Sequence, residues 1–544
     1  MKLQKKNKEL GITLIALAVT IIVMLILAGV TMAALTSENG IINQANKAKE
    51  TNKVAKTEEE ARLEYSNLIV EKQIEGQGEA TELSDVIGKL EENGYETAEK
   101  EGKNYIKIGE YYYEIKLEEN QVSIAREKTE GITGGNGGGS TGIAGKKYDK
   151  DTKETIGGKE VSIPAGATVS KIAGEYENVD NGIVIYIIND DNANWENVEY
   201  MQKTYDQFVW VPVENAVLDL SGTYSTLDDV GIKAKVQEQI KAGKYPMSIK
   251  TGTQTENKDN YIGVLYSFSE VTENGSTYEK VVPNSGWNPT STTSGYREPS
   301  AVSSYDYNTS NLSQVNGILK TSYSSSEEFG TALQNQYNEM VEKVKNAGGF
   351  WVGRYETSSM SDSATRAQVS SKKGKTSGIN NVTWYNMYAQ QSIYSELVLK
   401  SEKNKTPKIS SMIWGSQYDQ IMIWMKGEAS SEQAQSIGKY YITNGVGKGN
   451  YGEITIDGKK IEDGNDITYA PASTGSQETY RVKNIYDLAG NVFEWTLEAA
   501  SILDRVPRGS TYVDTDTFYT RPAYRFNYLP ILSDSAFGSR LTLY

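Results

Sequence analysis

The sequence predicts an α+β protein in two folded parts joined by a glycine-rich linker. Three observations lead to this prediction. An uncharged amino-terminal run continues into apolar residues at three- and four-residue steps, which is typical of one long helix. Short alternating stretches follow and predict a small antiparallel sheet. Beyond eight glycines in residues 131–145, short strand-like and helix-like segments alternate with Ser/Thr/Asn/Tyr/Gly-rich stretches, which predicts a larger, irregular α+β domain.

Composition excludes several classes of function. The 544 residues include 56 Lys+Arg and 71 Asp+Glu, for a formal net charge of -15. This acidic balance argues against nucleic acid as a partner, because phosphates require a basic surface. The sequence has no Cys and no His, so disulfides, zinc–thiolate sites and catalytic triads built on histidine are excluded. Carboxylate chemistry and oxygen-ligated calcium or magnesium remain open.

The amino-terminal run is long enough to cross a membrane. Residues 12–35 carry no charge, and as a helix they would extend about 36 Å, which matches a bilayer core. Lysines at positions 2, 5, 6 and 8 precede the run, as expected of a cytoplasmic flank. Three interpretations follow: a cleaved secretory signal, a plain transmembrane anchor, or a retained helix that packs among copies of itself.

The position of the polarity step favours the third interpretation. The polarity step falls at Gly11–Ile12, before the apolar run, and this arrangement resembles the amino terminus of type IV prepilins. The resemblance implies cleavage after Gly11, Ile12 as the new terminus, a membrane helix over Ile12–Leu35 and other pilin subunits as partners. The family's usual glutamate, five residues into the mature chain, is Ala16 here, which leaves the mode of assembly open.

The predicted stalk continues beyond the apolar run. Ala61, Tyr65 and Leu68 fall on one stripe of a helix that is expected to end near Gln73. A short helix capped by Thr81 and three antiparallel strands within residues 104–125 are predicted next. We therefore divide the chain into a leader (1–11), a stalk helix (12–75), a small pilin-like α/β head (76–130), a linker (131–145) and a large domain (146–544).

The large domain has few strong segments. Strands are predicted at 182–188, 207–214 and 348–356, and helices at about 330–346, 384–396 and 415–427. Residues 268–325 are rich in Ser, Thr, Asn, Tyr and Gly, and we expect surface loops or partial disorder there.

Three motifs near the carboxyl end occur in a recognisable order. They are "GNVFEW" (490–495), "RVPRGSTY" (505–512) and "GSR" (538–540). In order and spacing they resemble the formylglycine-generating-enzyme-like domain, a branch of the C-type lectin fold. The resemblance implies a C-type-lectin-like architecture, and we expect Phe493, Trp495 and Trp384 to pack in its core.

The same resemblance bears on metals. Oxygen-using enzymes of that family bind copper through cysteines or iron through histidines, and this sequence has neither residue. We therefore expect no enzymatic activity and no required cofactor. The family also holds calcium near the GN-x-x-E motif, where Asn491 and Glu494 would supply hard oxygen ligands. The alternative is that both side chains hydrogen-bond within the turn.

The last forty residues have an unusual composition. Residues 505–544 contain no Lys, Glu, Gln, Met or Trp, although Lys and Glu are abundant elsewhere. This pattern resembles the variable region of proteins diversified by diversity-generating retroelements. Aromatic side chains beside small polar ones are typical of binding surfaces. The predicted ligand-binding residues are Tyr512, Asp514, Asp516, Phe518, Tyr519, Phe526, Asn527, Tyr528, Leu529, Ile531, Asp534 and Phe537, whereas Tyr524 is expected in the core.

These observations predict a bacterial cell-surface protein, membrane-anchored or pilus-associated. It would be a pilin-like adhesin that displays a non-catalytic, hypervariable binding domain for an unknown protein or glycan ligand. One alternative is a structural pseudopilin of a secretion apparatus. The other is an enzyme of the formylglycine-generating class, which the missing Cys and His oppose.

Overall fold

The structure, a computed structural model, describes the chain from residue 41 onward with internal gaps. Two compact units are present, Met1–Gly137 and Gly138–Tyr544. The predicted leader, the cleavage site at Gly11 and Ile12, the span Ile12–Leu35 and most of the linker lie outside the described residues. The residues that the structure describes are 41–74, 81–93, 95, 97–100, 103–108, 111–118, 121–126, 143–253, 259–273, 276–291, 294–298, 309–360, 366, 368–375, 382–399, 409–425, 455–456, 459–460, 462–463, 466–467, 471–512 and 522–544.

The first unit packs two helices on one antiparallel sheet. A stripe on the long helix, which includes Ala61, Tyr65 and Leu68, is buried against sheet residues such as Ile106 and Ile115. This confirms the predicted stripe and the α+β class of the unit. The elements are α1 (Ile41–Ile74), α2 (Leu83–Glu92), β1 (Thr97–Lys100), β2 (Lys103–Ile108), β3 (Tyr111–Glu118) and β4 (Gln121–Ile124), with strand order β1-β2-β3-β4.

Two details of this unit differ from the sequence prediction. The sheet has four strands, because Thr97–Lys100 pairs with β2 although its sequence, TAEK, is weakly β-forming. The short helix begins after Glu82, whose backbone N–H donates to the Asp85 carboxylate at 2.9 Å, so Thr81 does not cap it. Lys72 of α1 and Asp85 of α2 form an ion pair at 2.8 Å that joins the two helices.

The second unit is built on a six-stranded antiparallel sheet. Its strands, in spatial order, are β17 (Ser410–Met412), β27 (Leu541–Leu543), β16 (Gly349–Gly353), β9 (Asp206–Pro212), β8 (Val184–Ile187) and β7 (Ala167–Val169). A second sheet contains β15 (Ser294–Arg297), β24 (Phe493–Ser501) and β25 (Arg505–Arg508) in that order, and β26 (Phe537–Ser539) runs parallel to β24. The helices are α3 (Val198–Thr204), α4 (Asp229–Lys241), α5 (Thr309–Leu319), α6 (Ser326–Ala347), α7 (Trp384–Ser392), α8 (Tyr394–Val398) and α9 (Gly415–Met425).

The strands of the second unit are mostly short. They are β5 (Thr152–Ile156), β6 (Lys159–Ile163), β7 (Ala167–Val169), β8 (Val184–Ile187), β9 (Asp206–Pro212), β10 (Val217–Asp219), β11 (Ser248–Thr253), β12 (Asp259–Gly263), β13 (Tyr266–Glu273), β14 (Ser276–Pro283), β15 (Ser294–Arg297), β16 (Gly349–Gly353), β17 (Ser410–Met412), β18 (Thr455–Ile456), β19 (Lys459–Lys460), β20 (Glu462–Asp463), β21 (Asp466–Ile467), β22 (Arg481–Val482), β23 (Ile485–Tyr486), β24 (Phe493–Ser501), β25 (Arg505–Arg508), β26 (Phe537–Ser539) and β27 (Leu541–Leu543).

The strongest sequence predictions for this unit are confirmed. The three predicted strands correspond to β8, β9 and β16, and the three predicted helical segments to α6, the α7–α8 pair and α9. Phe493, Trp495 and Trp384 are all buried, as predicted. The indole N–H of Trp384 donates to the Thr496 carbonyl at 2.8 Å, so this core tryptophan is also a hydrogen-bond donor to the long strand β24.

The prediction for residues 268–325 was wrong in large part. This segment contains most of the β13–β14 hairpin, the strand β15 and the helix α5. The hairpin pairs through eight consecutive residue pairs, from Tyr266–Pro283 to Glu273–Ser276. Backbone pairing orders the segment despite its polar composition. Two of its side chains are buried in hydrophobic clusters of the unit, Leu312 in the larger one and Val281 in a smaller one.

Candidate ligand-binding face

A short extended segment, residues 524–528, forms the centre of the candidate site. It lies antiparallel to β25 through isolated bridges between Arg505 and Tyr528 and between Arg508 and Arg525. The Phe526 N–H donates to the Pro507 carbonyl at 3.1 Å, and the Arg505 N–H donates to the Tyr528 carbonyl at 2.9 Å. The segment is therefore held to the sheet by its backbone, which leaves its side chains available for other contacts.

Alternate side chains of this segment form an aromatic row, which we call the aromatic ladder: Tyr524, Phe526 and Tyr528. Ring centroids are 4.4 Å apart between Tyr524 and Phe526 and 6.3 Å apart between Phe526 and Tyr528. All three residues are half-buried. The ring of Phe526 lies 4.4 Å from that of Phe493, and Tyr528 contacts Phe537 at 5.3 Å. Phe526 and Tyr528 thus pack against the core, Tyr524 packs against Phe526, and part of each residue remains accessible.

Exposed side chains follow the aromatic ladder. Asn527 and Asp534 are exposed, and Leu529 and Ile531 are 43% and 52% exposed. The turn at 529–534 is held to the core by a backbone hydrogen bond, in which the backbone N–H of Trp384 donates to the Pro530 carbonyl at 3.1 Å. We call the aromatic ladder together with Asn527 and the 529–534 turn the display face. It combines aromatic, aliphatic, amide and carboxylate groups, which suits recognition of a ligand.

The structure divides the predicted ligand-binding residues into three groups. Phe526, Asn527, Tyr528, Leu529, Ile531 and Asp534 come together on the display face. Tyr512 and Phe537 are buried, at 8% and 6% exposure, so they support the display face instead of belonging to its surface. Asp514, Asp516, Phe518 and Tyr519 lie outside the described residues.

Three residues of the display region were missed or misplaced by the sequence prediction. Tyr524 was expected in the core but is half-buried on the aromatic ladder. Leu503 and Leu532 are 47% and 39% exposed next to the predicted face and were not predicted as ligand-binding residues. The signal available for Leu532 was its place in the same turn as the predicted residues Leu529 and Ile531. No sequence signal pointed to Leu503, which lies in the turn before β25.

A cluster of buried charges anchors the aromatic ladder from below. We call Asp419, Glu498, Arg508 and Arg525 the buried ionic cluster; their side chains are at most 6% exposed. Arg525, between two ladder residues, lies 2.5 Å from Asp419 and 2.7 Å from Glu498. Arg508 lies 2.8 Å from Asp419 and 3.4 Å from Glu498. Each arginine therefore bridges both carboxylates, which fixes the position of the segment that carries the ladder.

A third carboxylate lies near this cluster without a cation of its own among the contacts described. Glu298 is 4% exposed and accepts from the Ser416 N–H at 2.5 Å, while its other oxygen has no partner within the described part of the chain. Burial, and then repulsion from Glu498, raises the pKa of Glu298 to about 8. Glu298 is therefore mainly protonated at neutral pH.

The two residues predicted to hold calcium are engaged by protein groups. Glu494 is buried, and both of its oxygens accept from Arg540 Nε, at 2.9 and 3.1 Å. Asn491 donates to Glu356 at 2.5 Å and accepts from the Ala472 N–H at 2.8 Å. These partners, Glu356, Ala472 and Arg540, lie outside the turn in which the alternative placed the hydrogen bonds, and calcium binding here stays a prediction. The described residues contain no group of three or more His, Cys, Asp or Glu that could hold a metal ion.

The described helices include none that is long and apolar enough to cross a membrane.

Comparisons with known proteins give weak similarities only. No protein-family model matches the chain, and no curated protein matches it. Among solved structures, CarF is 14% identical to this chain, with a TM-score of 0.21. The match covers 30% of this chain and 66% of the CarF chain, which is just under two thirds of the CarF length. Treponema denticola variable protein 1 is 15% identical over 36% of this chain and 84% of its own (TM-score 0.23). PvdO from Pseudomonas aeruginosa is 14% identical over 36% of this chain and 81% of the PvdO chain (TM-score 0.22).

Proposed function

We propose that this chain is a non-catalytic binding protein of the cell surface, and that the display face of its second unit captures a protein or glycan ligand. The observation that carries the proposal is the aromatic ladder. Three aromatic residues lie in one row, two of them packed against the core, while exposed amide, aliphatic and carboxylate side chains follow in the same stretch of chain. Preorganised aromatic groups give contact area at low entropic cost, which is what a binding surface requires.

The distribution of exposure also supports diversification of the display face. Asn527, Leu529, Ile531 and Asp534 belong to the compositionally biased tail and are exposed, so each can change without disturbing packing. Within the described part of the same tail, the arginines at 505, 508, 525 and 540 have buried side chains. We infer a division of labour in which buried residues keep the frame constant and exposed residues vary with the ligand.

Screening the purified full-length chain on protein and glycan arrays tests the binding site. We expect Asn527→Arg to abolish the binding of any ligand captured by the unaltered chain, because it places a bulky cation at an exposed position between two ladder residues. Asn192→Arg is the matched control, since Asn192 is also exposed but lies outside the face. Equal binding by the Asn527→Arg chain, or no captured ligand at all, would contradict the proposal.

We further propose that the first unit is a pilin-like stalk that displays the second. The uncharged run at residues 12–35, preceded by lysines and Gly11, supports this part of the proposal. Amino-terminal sequencing of the mature protein isolated from cells should give Ile12 as the first residue. A mature chain that begins after Ala34 would show instead that the run is a removable signal.

A further inference from the structure

We propose that the ligand of the display face is a protein that inserts an apolar side chain flanked by lysine or arginine. This inference rests on the proposed function, because it names the class of ligand that the same face binds. Four aliphatic side chains carry it: Leu503, Leu529, Ile531 and Leu532, which we call the aliphatic rim.

The aliphatic rim is unusual for the surface of this chain. Its members are 39–52% exposed. Leu529, Ile531 and Leu532 share one turn, and Leu503 lies in the turn before β25, whose first residue Arg505 pairs with Tyr528. The other large exposed hydrophobic residues of the described chain fall singly on separate elements, apart from one pair on α3: Leu63, Tyr111, Val198, Tyr200 and Val230. Single exposed apolar residues are ordinary, whereas a group of them marks an interaction site.

The two turns of the aliphatic rim are held in place before any ligand binds. The Leu532 N–H donates to the Leu529 carbonyl at 3.0 Å. In the other turn, the Ser501 hydroxyl donates to the Asp504 carboxylate at 2.9 Å and accepts from the Asp504 N–H at 3.0 Å. Little ordering is therefore required on binding, and the rim presents a stable apolar surface to a partner.

Charge around the rim specifies the partner further. Asp534 is exposed and Asp504 is half-buried. The arginines described between residues 503 and 544 all have buried side chains engaged with protein groups, so they add no positive charge to the surface. A partner with lysine or arginine beside its apolar side chain would therefore complement the rim.

Aliphatic side chains also discriminate against a carbohydrate. Sugar hydroxyls need hydrogen-bond partners, and a hydroxyl buried against Leu or Ile without one costs about 1–3 kcal/mol. An apolar protein side chain meets no such cost and gains from removal of both surfaces from water. The rim therefore favours a protein over a glycan.

Selection of phage-displayed random peptides on the purified full-length chain tests the class of ligand. We expect the enriched peptides to contain an apolar residue next to Lys or Arg, and their affinity to fall with added salt. A chain with Leu529→Ser and Ile531→Ser should bind them about tenfold or more weakly, as is usual when central apolar contacts are removed. Val230→Ser is the control, because Val230 is 74% exposed but lies on α4.

The outcomes separate this inference from the proposed function. Unchanged peptide affinity in the Leu529/Ile531 chain overturns the inference, and so does enrichment of peptides without basic residues. If a glycan array gives ligands that are lost in the Asn527→Arg chain while the Leu529/Ile531 chain binds them normally, the function stands and the protein partner is wrong. If neither peptides nor glycans depend on the display face, both proposals fail.

Discussion

Asp419→Ala is expected to destabilise the second unit by about 3–5 kcal/mol, the usual cost of removing one partner from a buried ion pair. Asp419 is fully buried and lies within 2.8 Å of both Arg508 and Arg525. It also accepts from the Tyr266 N–H at 2.8 Å. Without its carboxylate, two buried guanidinium groups share Glu498 alone, and one backbone donor loses its partner.

Urea denaturation of the full-length chain measures this effect. The transition of the second unit should move to lower urea concentration, with the slope unchanged if the unfolded state is unaffected. Asp191→Ala is the matched control, since Asp191 is exposed and its loss should change stability by no more than about 0.5 kcal/mol. A loss below about 1 kcal/mol in the Asp419→Ala chain would mean that the buried ionic cluster contributes little to the fold.

Glu298→Gln is expected to stabilise the chain relative to the unaltered protein as pH rises from about 4.5 to about 8. The folded-state pKa of Glu298, about 8, is above its ordinary value of 4.5. Within that window the folded state binds the proton and the unfolded state does not, so stability falls with rising pH by about 1.4 kcal/mol per unit. Glutamine has nearly the shape of the protonated acid and does not titrate.

The difference between the two chains isolates this residue from all other titrating groups. Urea unfolding at a series of pH values should show equal stability near pH 4 and a growing advantage for the glutamine chain, on the order of several kcal/mol by pH 8. Parallel pH profiles for the two chains would show that Glu298 is ionised in the fold. If the stability advantage of the glutamine chain decreased as pH rises, folding would lower the pKa of Glu298 instead of raising it.

Sequence alone predicted the segments whose apolar pattern is strong. Phe493 and Trp495 belong to a dense apolar motif, and Ala61 and Tyr65 recur at helical spacing, so burial followed directly from pattern. The β13–β14 hairpin was missed because its strands are held by backbone pairing and contain many Ser, Thr and Glu residues. Composition reports how much apolar surface a segment can bury and carries little information about its strand partners.

The display face was predicted in part for a similar reason. Aromatic and polar residues in the tail indicated a binding surface, but only the fold shows that Phe537 faces inward while Tyr524 remains accessible. The buried ionic cluster joins residues from position 419 to position 525, and no local pattern brings them together. One signal was present: Asp419 stands beside the apolar run Ile421–Met425, where a buried charge requires a partner.

Amide hydrogen exchange of the full-length chain, with and without a ligand captured in the array screen, tests the central claim most directly. The account predicts slower exchange on ligand binding in peptides that cover the aromatic ladder and the 529–534 turn, since their backbone would be shielded and held more tightly. Exchange that is unchanged over residues 522–537, with protection confined to other parts of the chain, would contradict it.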